Sequence, residues 1–341
     1  MLGWDIGGVN TKAVRADRRN GHPPGLRSAS APFEIQRNPA ALTETLVSLA
    51  RALGRADGWP HAVTMTAELS QAFRTKREGV GFVLDALATA FPSDPIRVYT
   101  VDGRFVAPEE ARARPLDAGA SNWVATATLV ARLAPNAILL DIGTTSTDII
   151  PIAAGRVAAR GRTDPTRLLT GELIYTGAVR TPVEALVREV PLWDGVAGVS
   201  AEGFATAGDA HVWLGTLSAE AYTAPTADGR PVTRELAGER LARVVCGDRE
   251  MLDQAAIDGI ARAVVEAQVE LVAAGVRRVA AAFPGCRTAV VTGLGDFIAA
   301  DAARRAGLEV MPLADRLGTA ARVAPAAAVA WLLADELGGD T

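Results

Sequence analysis

Two segments of this chain repeat one pattern, LGWDIGGVNTKAV at 2–14 and LLDIGTTSTDII at 139–150. Each brings an apolar run to Asp-Ile-Gly, turns, and resumes as a second run rich in β-branched residues. Glycine permits the tight turn, and the flanking runs read as two short strands of a hairpin. One such hairpin is an ordinary turn. A matched pair, one in each half, implies two similar α/β subdomains. A solenoid is excluded, because its units recur every ~20–50 residues.

Strand and helix signals alternate around both hairpins. Residues 17–25 (DRRNGHPPG) read as a polar loop, and 28–34 as a third strand. Leu42, Leu46, Leu49 and Leu53 mark one face of a helix over 39–53. A buried strand at 62–66 and a helix at 80–91 follow. Asp102-Gly103 marks a turn within 98–106, and a helix spans 121–133. The second half repeats strand, turn and strand over 137–152 and adds a strand at 156–160. Helices at 234–245 and 255–274 precede a strand at 288–292, a helix at 296–306 and a strand at 308–312. An apolar helix over 325–337, with Pro325 at its start, closes the chain.

Composition narrows the function classes. The 341 residues include 35 basic and 39 acidic side chains, a net charge of −4 that argues against a nucleic-acid partner. No run matches the ~18 apolar residues needed to cross a bilayer. The N-terminal MLGWDIGG enters a strand with no leader-like segment. A soluble, cytoplasmic protein with no membrane partner is expected. Cys246 and Cys286 form no disulfide framework or metal spacing and read as buried thiols. His22, His61 and His211 assemble no metal site, and His211 reads as a core or helix-edge residue. Lysine is scarce: Lys12 and Lys76 stand against 33 arginines. Where charge alone matters an arginine serves, so each retained lysine points to a need for a compact ammonium.

The hairpins carry the candidate chemistry. Gly7, Gly8, Asn10 and Thr11 in the first, with Gly143, Thr144 and Thr145 in the second, can present amides and hydroxyls to phosphate oxygens. Asp5 and Asp141 are candidates to hold Mg²⁺, directly or through water. Two such hairpins facing each other would clamp a polyphosphate. A third segment, VVTGLGDFIAADAARRAGLEV at 290–310, places Gly293 and Gly295 between a strand and a helix, a setting for an anion or nucleotide. It lacks the full GxGxxG fingerprint.

These three segments, in this order, resemble the actin, sugar-kinase and heat-shock-chaperone superfamily. The resemblance implies an α/β protein of two RNase H-like lobes around a hinged cleft. The lobes would span 1–130 and 131–341, with the last helix returning to the first. Within that superfamily, GGVNTK (7–12) and LLTGELIYTGAVRTPV (168–183) are similar to the hydantoinase/oxoprolinase branch. TMTAELSQAFRTKREGV (64–80), GASNWVATA (119–127) and FATAGDAHVWLG (204–215) resemble proteins of tetrahydromethanopterin-linked one-carbon transfer. Archaeal relatives of that group join an aminomethylfuran-methyl diphosphate to γ-glutamyltyramine, forming an ether and releasing diphosphate in methanofuran biosynthesis.

The resemblance therefore implies a Mg²⁺-dependent transferase whose partners are a phosphorylated small molecule and a phenol or amine acceptor. Lys12, with Lys76 or Arg74, would offset leaving-group charge. Glu68 and Glu172 are equal candidates for the proton acceptor or for the partner of the substrate's aminomethyl cation. Asp148 reads as a second metal-shell acid or a strand-end residue. Tyr175 and Arg180 read as substrate contacts or as core packing and a surface ion pair. Asn122-Trp123 reads as a helix anchor. Two further readings stand beside the transferase. One is an ATP-dependent kinase or hydantoinase/oxoprolinase-type hydrolase, with ATP at Gly293 and Gly295. The other is a non-catalytic, nucleotide-gated binding protein. The oligomeric state is not readable from the sequence.

Overall fold

Successive side chains on a strand alternate between faces, so β1 (Leu2–Ile6) turns Leu2, Trp4 and Ile6 one way and Gly3 and Asp5 the other. In the computed structural model, which describes residues 1–19 and 22–338, β1 lies at the centre of a six-stranded sheet. It pairs antiparallel with β2 (Asn10–Arg19), which pairs with β3 (His22–Pro32). On its other side it pairs parallel with β4 (His61–Met65), followed by β5 (Ile96–Tyr99) and the short β6 (Phe105–Val106). The order β3-β2-β1-β4-β5-β6 is an RNase H-like arrangement. Helices α1 (Leu42–Ala52) and α2 (Lys76–Ala90) bury Leu42, Leu46, Val80, Val83 and Leu87 with Trp4, Ile6, Val63 and Met65.

Two short helices, α3 (Pro108–Ala113) and α4 (Pro115–Ala118), lead into α5 (Asn122–Leu133). The chain then runs through β7 (Ala137–Ile142), β8 (Thr147–Ala153), β9 (Arg156–Val157) and α6 (Asp164–Thr170). The expected loop at 17–25 is corrected: residues 17–19 and 22–25 are strand, paired Asp17 to Gly25 and Arg19 to His22, while residues 20 and 21 lie outside the described residues. An edge strand tolerates proline, and a bulge near Asp17 absorbs the irregular register.

The second sheet has the order β10-β8-β7-β13-β14, with β9 beside β8. It is completed by β10 (Leu173–Ile174), β13 (Thr288–Gly293) and β14 (Glu309–Pro312). Between β10 and β13 come α7 (Val183–Leu186), a separate hairpin of β11 (Glu189–Leu192) and β12 (Gly195–Gly198), then α8 (Ala207–Leu214), α9 (Arg234–Arg243) and α10 (Gln254–Ala281). The 28-residue α10 starts where Asp253 caps it, its carboxylate accepting from Ala256 N–H. α11 (Asp296–Arg305) connects β13 to β14, and α12 (Ala314–Leu317) and α13 (Ala324–Glu336) end the fold.

Two compact units result, and a single cut after residue 130 does not separate them. The first comprises Met1–Leu139, Ile150–Leu169 and Pro312–Thr341; the second comprises Leu140–Ile149 and Thr170–Met311. The boundary falls inside β7 and β8 because the chain enters the second unit, returns, and enters again. α13 packs on β1, β2, β4 and α5 in the first unit. One stretch, Ala314–Glu336, passes a length and composition test for crossing a membrane. Most of it is buried, and α13 lies against the first sheet, the setting of a core helix.

Candidate functional site

The turns after β1 and β7 are closed by the same bond. Gly7 N–H donates to Asn10 O, and Gly143 N–H to Ser146 O, each at 3.0 Å. In both turns the carbonyls are held from behind. Ile35 and Phe33 N–H donate to Gly8 and Val9 O at 3.2 and 2.7 Å. Ala178 and Val179 N–H donate to Gly143 and Thr144 O at 2.9 and 3.2 Å. No described hydrogen bond occupies the amides of Gly8, Val9, Thr144 or Thr145. A turn whose carbonyls are anchored inward leaves its amides as a donor edge for an anion.

In the first unit, Asp5 is buried at the root of the turn, and Lys12, its register partner on β2, donates to Oδ2 at 3.1 Å. Thr64, beside Asp5 on β4, shares a 2.8 Å hydrogen bond with Ser121. Thr11 pairs with Ile6 instead, so it lies on the opposite face from Lys12 and is fully buried. Its hydroxyl is therefore not brought together with Asp5. Asn10 contributes its carbonyl to the closing bond. Mg²⁺ typically takes one or two carboxylates plus water and substrate phosphate. Asp5 fits that role, since Oδ1 is buried and has no hydrogen-bond partner. Among the described residues no group of three or more His, Cys, Asp or Glu side chains gathers to form an all-protein cage.

Glu68 follows β4 in a short 3₁₀ turn at Ala67–Leu69, at the same end of the sheet as the first hairpin. It is 2% exposed, and burial pushes its carboxyl up to about 7, against the opposing pull of Lys76. Lys76 Nζ lies 3.5 Å from Glu68 Oε1 and donates to Asp164 Oδ2 at 2.8 Å. Burial draws the lysine down, but Asp164 and Glu68 leave it raised overall. Arg167 lies 3.8 Å from Asp164 and stacks its guanidinium 4.3 Å over the buried Trp123 ring. Arg74 is exposed, its N–H donating to Glu78. Asp164 was missed in the sequence because nothing local links it to residue 76.

In the second unit, the segment 176–178 lies directly on the second turn. A Cβ on Gly177 would come within 2.5 Å of Thr145 N, so only glycine fits there. Thr181 Oγ1 accepts from Gly177 N–H at 3.0 Å. Gln268 Nε2 donates to Gly177 O and Thr176 Oγ1 at 2.8 and 2.9 Å. That leaves Gln268 Oε1 to accept from His211 Nε2 at 2.8 Å. Desolvation lowers the His211 pKa, and its buried ring is a support for the turn.

Asp141 is buried at the end of β7. Gly293, at φ +92°, approaches so closely that a Cβ would lie 2.5 Å from Asp141 Oδ1. Gly295 N–H donates to Ile142 O at 2.9 Å, and its own Cβ would meet Ile142 Cγ2 at 2.6 Å. Close packing of the β13–α11 turn on β7 therefore accounts for both glycines. Glu172 is fully buried, with Oε2 accepting from the Thr170 hydroxyl at 2.9 Å and its carbonyl from Ile149 N–H. Asp148 sits opposite Leu173 in the β8–β10 pairing. Tyr175 is 60% exposed and Arg180 is exposed, so Tyr175 is no core residue.

Comparison with known proteins identifies relatives of the chain. The chain is 35% identical over 303 residues to the (4-{4-[2-(gamma-L-glutamylamino)ethyl]phenoxymethyl}furan-2-yl)methanamine synthase of Methanocaldococcus jannaschii, covering 89% of this chain and 88% of the relative. The synthase of the same name from Methanococcus vannielii is 33% identical over 207 residues, covering 59% of this chain and 92% of the relative. Among solved structures, a nucleotide-free acetone carboxylase matches with a TM-score of 0.60 at 12% identity, over 97% of this chain and 69% of that one. That likeness is one of fold. The sequence profile of the hydantoinase/oxoprolinase family matches residues 60–336, and the chain belongs to that family.

Proposed function

We propose that this protein is an ether-forming synthase. It joins the phenol of γ-glutamyltyramine to the methylene carbon of an aminomethylfuran-methyl diphosphate and releases diphosphate. The product named for the two relatives contains the phenoxymethyl-furan linkage that such a reaction makes. The observation that carries the reading is the pair of turns at 7–10 and 143–146, each with its carbonyls engaged by backbone N–H groups and two of its amides left without a described hydrogen bond.

The chemistry asks for three things. A furfuryl carbon ionises readily because the ring stabilises the developing cation, so the main demand is to stabilise the departing diphosphate. Amides at Gly8 and Val9, or at Thr144 and Thr145, suit its oxygens, and Lys12 adds a positive charge at the root of the first turn. Asp5, and Asp141 in the other unit, would hold Mg²⁺, which when bound neutralises phosphate charge. The phenol must also be positioned and must lose its proton. Glu68 suits that last role better than Glu172, because Thr170 and the β8–β10 edge already engage Glu172.

The test is diphosphate release from the aminomethylfuran diphosphate with Mg²⁺, with and without γ-glutamyltyramine. Release that depends on the acceptor, with inorganic diphosphate binding more tightly than ATP in calorimetry, supports the reading. Tight ATP binding together with ATP hydrolysis, and no acceptor-dependent release, would replace it with the ATP-dependent alternative.

A further inference from the structure

We propose that Lys76 and Glu68 form a two-residue proton relay, in which Lys76 takes the proton of the acceptor phenol as it passes one of its own to Glu68. The proposal rests on the ether-forming reading above and assigns the route by which the phenol is activated.

The geometry around Glu68 is a slot cut by two glycines. A Cβ on Gly79 of α2 would lie 2.5 Å from Glu68 Cα, and one on Gly119 would lie 3.1 Å from Glu68 Cγ and Oε1. The covering loop is pinned by Ala120 N–H donating to Met65 O at 3.0 Å. Ala120 holds φ +52°, a left-handed conformation that a non-glycine residue adopts only where its surroundings enforce it. Neither Glu68 carboxylate oxygen has a hydrogen-bond partner, and both are buried. A carboxylate kept dry in this way is short of donors, and a proton on it would relieve that deficit.

Lys76 is the route to it. Its side chain is 24% exposed, whereas Glu68's is closed to solvent. It starts α2, where the helix dipole disfavours a cation. Two carboxylates explain its presence: Glu68 at 3.5 Å and Asp164 of α6 at 2.8 Å, with Arg167 behind Asp164 at 3.8 Å. Among the described residues, Lys76 and Asp164 are the charges that act on Glu68. An arginine would keep the charge but not exchange protons, since its pKa stays above 12. In a chain with 33 arginines, retention of lysine here matches that requirement.

The step balances. The phenol O–H bond breaks and its proton goes to Lys76 Nζ as an Nζ–H proton goes to a Glu68 oxygen, leaving the ammonium unchanged. The phenol oxygen forms a bond to the furfuryl carbon, and the carbon–oxygen bond to diphosphate breaks with its electron pair leaving on diphosphate. Glu68 later returns the proton to solvent by way of Lys76, whose side chain is partly exposed. Burial already raises its carboxyl to about 7, close to the operating range of such a base.

The experiment compares wild type, Lys76→Arg and Glu68→Gln with γ-glutamyltyramine and with ring-fluorinated analogues whose phenols are more acidic. Inorganic diphosphate affinity and the urea midpoint are measured on each protein. The expected result is a kcat loss of at least ~100-fold in both variants, diphosphate affinity within about threefold of wild type, and substantial rescue by the acidic phenols. Wild-type kcat in Lys76→Arg overturns the relay while leaving the ether reading intact. So does a loss that fluorination does not rescue. Absence of ether with the wild-type protein overturns the ether reading itself, and the relay with it.

Discussion

Lys12 and Asp5 face each other across the first hairpin, Nζ to Oδ2 at 3.1 Å. They are register partners on neighbouring antiparallel strands, so their spacing is set by the backbone rather than by chance side-chain reach. Asp5 is almost fully buried, while the Lys12 side chain is 29% exposed. A compact ammonium and a planar guanidinium present different donors to Asp5, so the substitution keeps the charge and changes its geometry. Lys12→Arg is expected to lower kcat/KM at least ~10-fold while changing unfolding free energy by less than ~1 kcal/mol. Steady-state kinetics and urea unfolding check both halves. Full activity would show that charge alone is needed.

Asp5→Asn removes the charge of a carboxylate whose Oδ1 has no hydrogen-bond partner. If that oxygen serves Mg²⁺, the tightening of inorganic diphosphate binding by Mg²⁺ should be largely lost in the variant. Chelation with EDTA should reproduce the loss in wild type. Calorimetry at fixed ionic strength measures it, and Mg²⁺ tightening of wild-type size in Asp5→Asn would remove Asp5 from the site.

Gly177→Ala inserts a methyl group 2.5 Å from Thr145 N, where backbone must move. Overpacking of this kind costs about 1–3 kcal/mol. Because the displaced atoms belong to the second turn, diphosphate affinity should fall as well. Urea unfolding and calorimetry report the two effects separately. A destabilised variant with unchanged affinity would mean that this turn does not hold the ligand.

Two buried groups give the stability a distinctive pH dependence. Glu68 is raised from 4.5 to about 7, so between those values the folded protein holds its proton more tightly than the unfolded chain does. Its contribution therefore falls as pH rises through that window, by about 3 kcal/mol. His61 is lowered from 6.5 to about 4, chiefly by burial. Its neutral ring accepts from Trp4 Nε1–H at 2.9 Å and meets Asp94 at 2.9 Å on the other nitrogen. Stability from His61 is present above 6.5 and is lost as pH falls toward 4, again by about 3 kcal/mol. The two trends oppose each other in wild type. In Glu68→Gln the Glu68 limb is removed, so the urea midpoint should fall less than that of wild type as pH rises from 4.5 to about 8. A pH profile parallel to wild type would contradict the assigned Glu68 environment.

The parts of this fold that were legible in the sequence are those specified locally. Asp-Ile-Gly fixes a strand end and a turn within a few residues, so β1, β2, β7 and β8 could be placed. The leucines of α1 showed its buried face directly. Composition misled at 17–25, where proline and glycine lie in an edge strand rather than a loop. The β11–β12 hairpin, with four-residue strands, was too short for periodicity to register. Strand alternation could have separated Thr11 from Lys12, because neighbouring residues on a strand point to opposite faces. Asp164 was beyond reach: it meets Lys76 across 88 residues of chain, through tertiary packing alone. Both lysines nevertheless proved to be paired with carboxylates at strand and helix ends.

The most direct measurement follows the phenol oxygen. Incubating the protein with Mg²⁺, the aminomethylfuran diphosphate and γ-glutamyltyramine carrying ¹⁸O in its phenol should give an ether that retains the label, with unlabelled diphosphate released in equal amount. Mass spectrometry reads both products. Label in the diphosphate, or no ether while the folded protein and both substrates remain intact, would contradict the account.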